Sequence, residues 1–484
     1  MPRRHIRVIG APEASLRVAL RELRAGLGGS EEYPADALAE ASRPPHPAPY
    51  PAREVYDATD LPFFTIGPPA ATDLGQALHL SRRPGGGFRV RYAIADVAAF
   101  VVPGGALDTE AHRRVLTLYF PDGTVPLHPP SLGEGTASLL PDQVRPAVLW
   151  TIDLDADGRT TGTADARRAL VRSRAKLDYA HTLRHIEDGT AEDPVALLKV
   201  VGAARERLEA ERGGISLRVP EQEIVVRDHT YELVYRAPLP TDAWNAQISL
   251  LTGMAAAETM LASGTGVLRT LPAAPDGSVG RLRRTAEALH ITWPHHVSYA
   301  ELVRSLDPHW PQHAAFLEEC TTLLRGAGYT VFRDGVLPRI TTHAAVAAPY
   351  AHCTAPLRRL VDRYTAELCL AACADATPPA WVLDALDALP GRMAEGARRA
   401  AAVEREGVDL VEAALLQDRV GDVFDALVVD VREEQPTMGT VQLESPAVVA
   451  RVSGGTGRLP LGEWLRVRLT QAQPGTAKVR FVPA

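Results

Sequence analysis

A chain of 484 residues is too long for one ordinary core, so roughly two to four domains are expected. Its 46% hydrophobic and 23% charged residues exclude a disordered or fibrous protein. The formal net charge of −7 excludes a uniformly basic surface but not a local basic channel, because net charge says nothing about distribution.

No apolar run approaches the length that spans a bilayer. Met1-Pro2-Arg3-Arg4-His5 is not followed by an apolar segment, so a signal peptide is not expected. Of the four cysteines, Cys369 and Cys373 stand at i, i+4, but Cys320 and Cys353 do not form a second metal-type pair. Small buried thiols in a reducing cytoplasm are the simpler expectation.

In chain order, Glu13 to Leu27 has helical periodicity, with Leu16, Val18, Leu20 and Leu23 read as one side. Tyr33 to Ser42 holds a second short helix, and a Pro-rich linker runs from Pro44 to Pro51. A helix-turn-helix-like unit and a capping extension both fit residues 1–52. From Asp60 to about Gly158 strands dominate. Phe63 to Ile66 leads into a Pro-rich loop, Phe88 to Val97 alternates and then turns continuously apolar, and Ala147 to Leu154 ends at a plain Asp155-Ala156-Asp157-Gly158 turn. From Tyr179 to about Leu416 helices dominate, among them Val195 to Glu211, Trp244 to Ser263, Pro356 to Ala374, and Met393 to Leu416 with a solvated Arg/Glu face. Five short strands from Val423 to Phe481 fit a small barrel of the OB type.

Two stretches concentrate the chemistry. The first is Asp60 to His79, because a loop leaving a buried strand is held in a fixed geometry; its central acid is Asp73. The second is His343 to Tyr364. Pro356 suits a first helical turn, with Thr354 or Ala355 as N-cap. Arg358 and Arg359 in that turn would oppose the helix dipole, which points to an anion such as phosphate facing them; a surface salt bridge to Asp362, from Arg359 at i, i+3 or from Arg358, is the plain alternative. His343 and His352 read first as structural histidines. No nucleophile elbow, zincin motif or phosphate-cradling Gly loop occurs, so no nucleotide cofactor is expected.

Three ordered blocks carry a resemblance: Asp60-Leu61-Pro62-Phe63 through Ala77-Leu78; Tyr92-Ala93-Ile94-Ala95-Asp96-Val97 with Leu118-Tyr119-Phe120-Pro121; and His352-Cys353-Thr354-Ala355-Pro356-Leu357-Arg358-Arg359. Together they resemble the RNB domain of the ribonuclease II/ribonuclease R family. The resemblance implies an α+β fold: an RNB domain over residues 53–418, the short helical region 1–52 before it, and an OB-fold RNA-binding barrel over 419–484. The N-terminal region is too short for the family's two cold-shock barrels.

The resemblance also implies 3′→5′ hydrolysis of single-stranded RNA to nucleoside 5′-monophosphates by a cytoplasmic monomer. Aspartates would hold Mg²⁺, with Mn²⁺ as a substitute. Laid on this chain, the family's four acids fall on Gly67, Asp73, Gly75 and Gln76, so three are absent. Asp57, Asp60 and His79 are candidates to complete a shell around Asp73. By resemblance, Arg358 acts at the scissile phosphate, Tyr119 stacks on the 3′-terminal base, and His352, Thr354 and Arg359 line the RNA site. Two readings follow: an exoribonuclease with a substituted metal site, and a pseudonuclease that grips an RNA 3′ end without cutting it.

Overall fold

The sheet that carries the site takes its strands in the spatial order Tyr56–Asp57, Asp165–Leu177, Phe63–Ile66, Gln76–Arg82, Phe88–Ala95 and Val144–Leu154. These positions come from a computed structural model that describes residues 6–8, 14–30, 32–46, 53–219, 221–227, 230–275, 277–324, 326–443, 445–475 and 477–484. Residues 47–51 of the expected Pro-rich linker lie outside them. Asp165–Leu177 bends to pair with Val144–Leu154 along its first half and with Phe63–Ile66 along its second, so the sheet closes on itself.

Both faces of the closed sheet are covered, which is why its strands read as apolar runs. On one face Phe64, Leu78, Tyr92 and Trp150 pack against Ile248, Leu251 and Tyr364 from the helices. On the other, Phe63, Ala93 and Leu149 pack against Val97, Leu107 and Leu357. The helix Pro240–Ser263 crosses the helices Asp193–Glu211 and Leu360–Cys373. Gly253 on it is required by close approach: a Cβ there would lie 2.2 Å from the Tyr350 ring. Its carbonyl accepts a hydrogen bond from the Ala351 N–H at 3.0 Å, fixing the start of the second chemical stretch.

The C-terminal strands Val423–Val431, Met438–Leu443, Val449–Ser453, Trp464–Gln473 and Ala477–Pro483 form a closed five-stranded barrel. Its core includes Phe424, Val428, Val441, Val467 and Phe481, and continues into Val411 and Leu416 of the helix Leu389–Leu416 and Leu16 and Leu20 of the helix Ala14–Gly26. Leu16, Ala19, Leu20 and Leu23 follow helical spacing onto that core. Val18, expected with them, faces solvent, because two residues along a helix turn the side chain by about 200°.

The helix Ala35–Ala41 packs elsewhere, on the helix Ala106–Arg114. Glu40 caps that helix by accepting hydrogen bonds from the Ala106 and Leu107 N–H groups at 3.0 and 2.9 Å. The two N-terminal helices therefore pack against different parts of the molecule. The Asp155 carboxylate accepts from the backbone of Asp157 and Arg159, an ordinary turn. All four cysteines are free thiols. Among the described residues no helix is long and apolar enough to cross a membrane.

Candidate nucleic-acid site

The strand Phe63–Ile66 delivers the first stretch to the site, and neighbours fix its path. Gly67 N–H donates to the Leu177 carbonyl, Leu74 N–H to the Ser138 hydroxyl, and Ala95 N–H to the Gly75 carbonyl, at 3.1, 2.9 and 3.0 Å. Lys176 closes the loop, its ammonium donating to the Pro69 carbonyl at 2.6 Å. The Thr72 hydroxyl donates to the Glu134 carboxylate at 2.6 Å. Within this frame Gly67 and Gly75 are not imposed by packing or backbone. A Cβ on Gly67 would meet no heavy atom within 4 Å, a Cβ on Gly75 would only touch Leu357 at 3.5 Å, and neither residue adopts a positive φ.

Gln76 is used up by the fold. Its carbonyl oxygen accepts from the Tyr92 hydroxyl at 2.7 Å, and its amide donates to the Thr354 carbonyl at 2.5 Å. Asp73 faces the Arg358 guanidinium at 3.8 Å. The three candidates for completing a metal shell lie elsewhere. Antiparallel pairing of Phe64 with Leu78 sets Gln76 beside the Ile66 end of the strand, whereas Asp57 and Asp60 precede its other end. Asp57 instead accepts from the Thr59 backbone and hydroxyl. His79 packs edge-on to Phe63 and sits 3.5 Å from Arg91; burial, then the Arg91 charge, pushes its imidazole down to about 4. Among the described residues no group of three or more His, Cys, Asp or Glu side chains is placed to hold a metal ion. Mg²⁺ and Mn²⁺ favour carboxylates and other oxygen donors. One carboxylate facing a guanidinium, beside a committed amide, does not fit that requirement.

The second stretch differs from expectation in its helix. The helix begins at Leu360, not at Pro356, and Arg359 rather than Thr354 or Ala355 holds the N-cap position, with φ −139° and ψ 129°. Pro356–Arg358 form a separate turn, closed by the Arg358 and Arg359 N–H groups donating to the Ala355 carbonyl at 3.0 and 2.9 Å. Long-range bonds then hold Arg359 extended: Thr117 N–H donates to the Arg358 carbonyl and Leu360 N–H to the Val115 carbonyl, both at 3.0 Å. Arg358 and Arg359 thus lie outside the first helical turn, and the dipole argument does not apply to them.

Their roles divide. Arg359 gives two hydrogen bonds, 2.8 and 2.7 Å, to Asp362, which is 0% exposed and also accepts from the Ala355 N–H at 2.7 Å. The i, i+3 pair therefore forms, but as a buried brace. Arg358 keeps 40% of its side chain exposed. Burial works against its charge, yet Tyr119, which accepts its hydrogen bond, and Asp73 together hold it above the usual arginine range. Thr354 is buried and shares a 2.8 Å hydrogen bond with Ser249. His352 is half-buried, bonds the Tyr329 hydroxyl at 2.7 Å and meets the Tyr329 and Tyr350 rings edge-on. Burial, reinforced by Arg359 and Arg269, keeps its imidazole neutral well below the ordinary histidine range. His343 is likewise pushed down, to about 4, chiefly by burial.

The structure thus brings Asp73, Gln76, Tyr119, Thr354 and Arg358 together and leaves Asp57, Asp60 and His79 outside. Sequence reasoning missed Tyr92 and Ser249 as partners and Lys176 as the cation on the loop. Only the sheet register, which sets Thr65 opposite Lys176, exposes the last.

The comparisons with known proteins agree with this architecture. Residues 55–374 match the RNB domain, and residues 422–484 match the RNase II-type exonuclease C-terminal S1 domain. The exosome complex exonuclease dis3 of Schizosaccharomyces pombe is 28% identical over 325 residues, 63% of this chain and 33% of that protein. Ribonuclease R of Escherichia coli is 34% identical over 181 residues, 35% of this chain and 22% of that protein. The matched part is thus a third or less of these relatives' length. Among solved structures, Mycoplasma genitalium RNase R in complex with ribose methylated single-stranded RNA superposes with a TM-score of 0.83 at 18% identity, covering 97% of this chain and 78% of that one. Yeast Ssd1, described as a pseudonuclease, superposes with a TM-score of 0.71 at 15% identity, covering 94% and 58%. The RNB match alone takes in well over half of the residues, and the chain belongs to the RNB-domain family of ribonuclease II-type exoribonucleases.

Proposed function

We propose that this chain binds the 3′ end of single-stranded RNA without the family's metal-dependent hydrolysis. The observation that carries the proposal is Gln76. It stands where the resemblance expects a ligating acid, and both ends of its amide are already bonded, to Tyr92 and Thr354. In-line hydrolysis assisted by two metals needs carboxylates to hold the ions that activate water and stabilise the leaving oxygen. Asp73, facing Arg358, is the single acid between Gly67 and Gln76.

The binding side is better furnished. Arg358 presents a charged, partly exposed fork suited to phosphate oxygens. Tyr119 lies beside it, and stacking a base on such a ring contributes about 1–3 kcal/mol. The C-terminal barrel adds a second surface of a type that binds single strands. RNase R of Mycoplasma genitalium binds single-stranded RNA on the same fold, and Ssd1 is a pseudonuclease on it.

The test is a 5′-labelled single-stranded RNA incubated with Mg²⁺ or Mn²⁺, and in parallel with EDTA. The expected outcome is binding in all three conditions and no trimming in any. A ladder of products one nucleotide apart, dependent on metal, would overturn the proposal.

A further inference from the structure

The side chains around Gly67 and Gly75 bear on which RNA end this site takes, an inference that rests on the RNA-binding reading above. A 3′-hydroxyl end offers a hydrogen-bond donor and needs an acceptor. The Gln76 oxygen already accepts one bond, from the Tyr92 hydroxyl, and the Asp73 carboxylate, facing Arg358 at 3.8 Å, is the one acid in the loop. Donors are better supplied. Arg358 is 40% exposed, and the Lys176 ammonium, which spends one bond on the Pro69 carbonyl, has three protons to give. Space is also present, since nothing lies within 4 Å of a Cβ placed on Gly67 and only Leu357 comes near one on Gly75. A cluster of carboxylates at these positions would repel an anionic end; two glycines and an amide do not.

We infer that the site selects RNA ending in a 3′-phosphate over RNA ending in a 3′-hydroxyl, with Arg358 and Lys176 receiving the terminal phosphate in the space beside Gly67 and Gly75. A terminal phosphate adds a charge of about −1.5 to −2 at neutral pH and three acceptor oxygens, which match a guanidinium fork and an ammonium. The internal phosphates and bases are the same for both ends, so the difference in affinity reports the terminal phosphate, and its loss on changing Lys176 or Arg358 assigns it to this space.

The experiment compares two 5′-fluorescein oligoribonucleotides of one sequence, ended by a 3′-hydroxyl or a 3′-phosphate, by fluorescence anisotropy in EDTA at low salt. The phosphate end is expected to bind about tenfold more tightly, with a steeper salt dependence. Lys176→Gln and Arg358→Gln should each reduce that preference to about threefold or less. The double change Gly67→Asp/Gly75→Asp should reverse it through charge repulsion; a Cβ at either position comes no closer than 3.5 Å to another heavy atom, and an unchanged thermal midpoint would confirm that the fold is intact. Equal binding of the two ends by the unsubstituted protein overturns the inference, as does a preference that survives both Lys176→Gln and Arg358→Gln. Binding of neither end overturns instead the RNA-binding reading beneath it.

Discussion

The stretch from Gly67 to Gln76 and the stretch from Thr354 to Asp362 meet at one hydrogen bond, from the Gln76 amide to the Thr354 carbonyl. Their backbones are held alike, by bonds to residues distant in sequence: Leu177, Ser138 and Ala95 for the first, Val115 and Thr117 for the second. Their side chains differ. The first shows two glycines, one with open space and one touching only Leu357, where the second packs a buried carboxylate, an arginine that braces it and a partly exposed arginine that meets Tyr119 and Asp73. Backbone path and reactive chemistry are therefore separable in this fold. A chain can retain the whole frame that positions a ligand set while carrying few of the ligands.

The comparison breaks most visibly at Asp362. Its carboxylate is fully buried and satisfies both Arg359 and the Ala355 N–H. Asp362→Ala leaves a charge and a backbone donor unpaired, so a loss of about 3–5 kcal/mol is expected in chemical unfolding. Gly67→Asp, in the other stretch, breaks no bonded pair, and a Cβ there meets no heavy atom within 4 Å, so its cost should be clearly smaller. Similar losses at the two positions would show that the Gly67 stretch is packed after all.

Arg358 comes next. Arg358→Ala should weaken RNA binding by about 1.5–3 kcal/mol, the contribution of a charged hydrogen bond. It should also lower the salt slope by about 0.7, the value for one phosphate contact on a single strand. Arg363→Ala is the control. Arg363 is buried against Asp108 and lies over the Trp381 ring, so its loss should lower stability and leave the salt slope unchanged. Equal salt slopes for the two variants would remove Arg358 from the RNA site.

How much of this was readable in the sequence follows the same division. Strands with local alternation, such as Phe88–Ala95, and the five strands of the C-terminal barrel were readable, because their periodicity is written in consecutive residues. The helix starting at Pro356 was not. Pro356 and Thr354 carry good local signals for a helix start, and Pro356 does open a turn, but bonds to Val115 and Thr117, more than two hundred residues away, hold Arg359 extended and delay the helix to Leu360. The candidate site was readable as a set of positions: Asp73, Tyr119 and Arg358 do converge. The partition between Arg358 and Arg359 was not, since Asp362 stands at i+3 from Arg359 and i+4 from Arg358, either of which suits a pair, and only the folded geometry assigns it to Arg359.

The Gln76 bridge sharpens the comparison with a smaller effect. Gln76→Ala removes two hydrogen bonds and leaves the Tyr92 hydroxyl and Thr354 carbonyl without their partner, at about 1–2 kcal/mol of stability. Gln76→Glu keeps an acceptor for Tyr92 but sets a carboxylate oxygen against the Thr354 carbonyl, so it should not rescue the loss. Full rescue by Gln76→Glu would mean that the amide donor holds nothing in the second stretch, leaving Asp73–Arg358 as the polar contact between the two.

The mildest expected effect is acid sensitivity, and it places one histidine on each side of the comparison. His79 follows the first stretch and is pushed down to about 4; His352 opens the second and lies well below the ordinary 6.5; in both, burial is the main cause. A histidine with a depressed folded-state pKa is neutral in the native protein while the unfolded chain takes up a proton. Between pH 6.5 and the folded value the unfolded state binds more protons, so stability rises with pH and is lost as pH falls through that window. His79→Gln should therefore flatten the fall in stability between pH 6.5 and about 4, measured by denaturant midpoints across that range. His352→Gln should likewise flatten the fall in stability below pH 6.5, because burial also holds its imidazole well below that value. If His352→Gln leaves the acid limb unchanged, the ring is accessible to water and protons, and the second stretch is more open than its contacts with Tyr329 and Tyr350 imply.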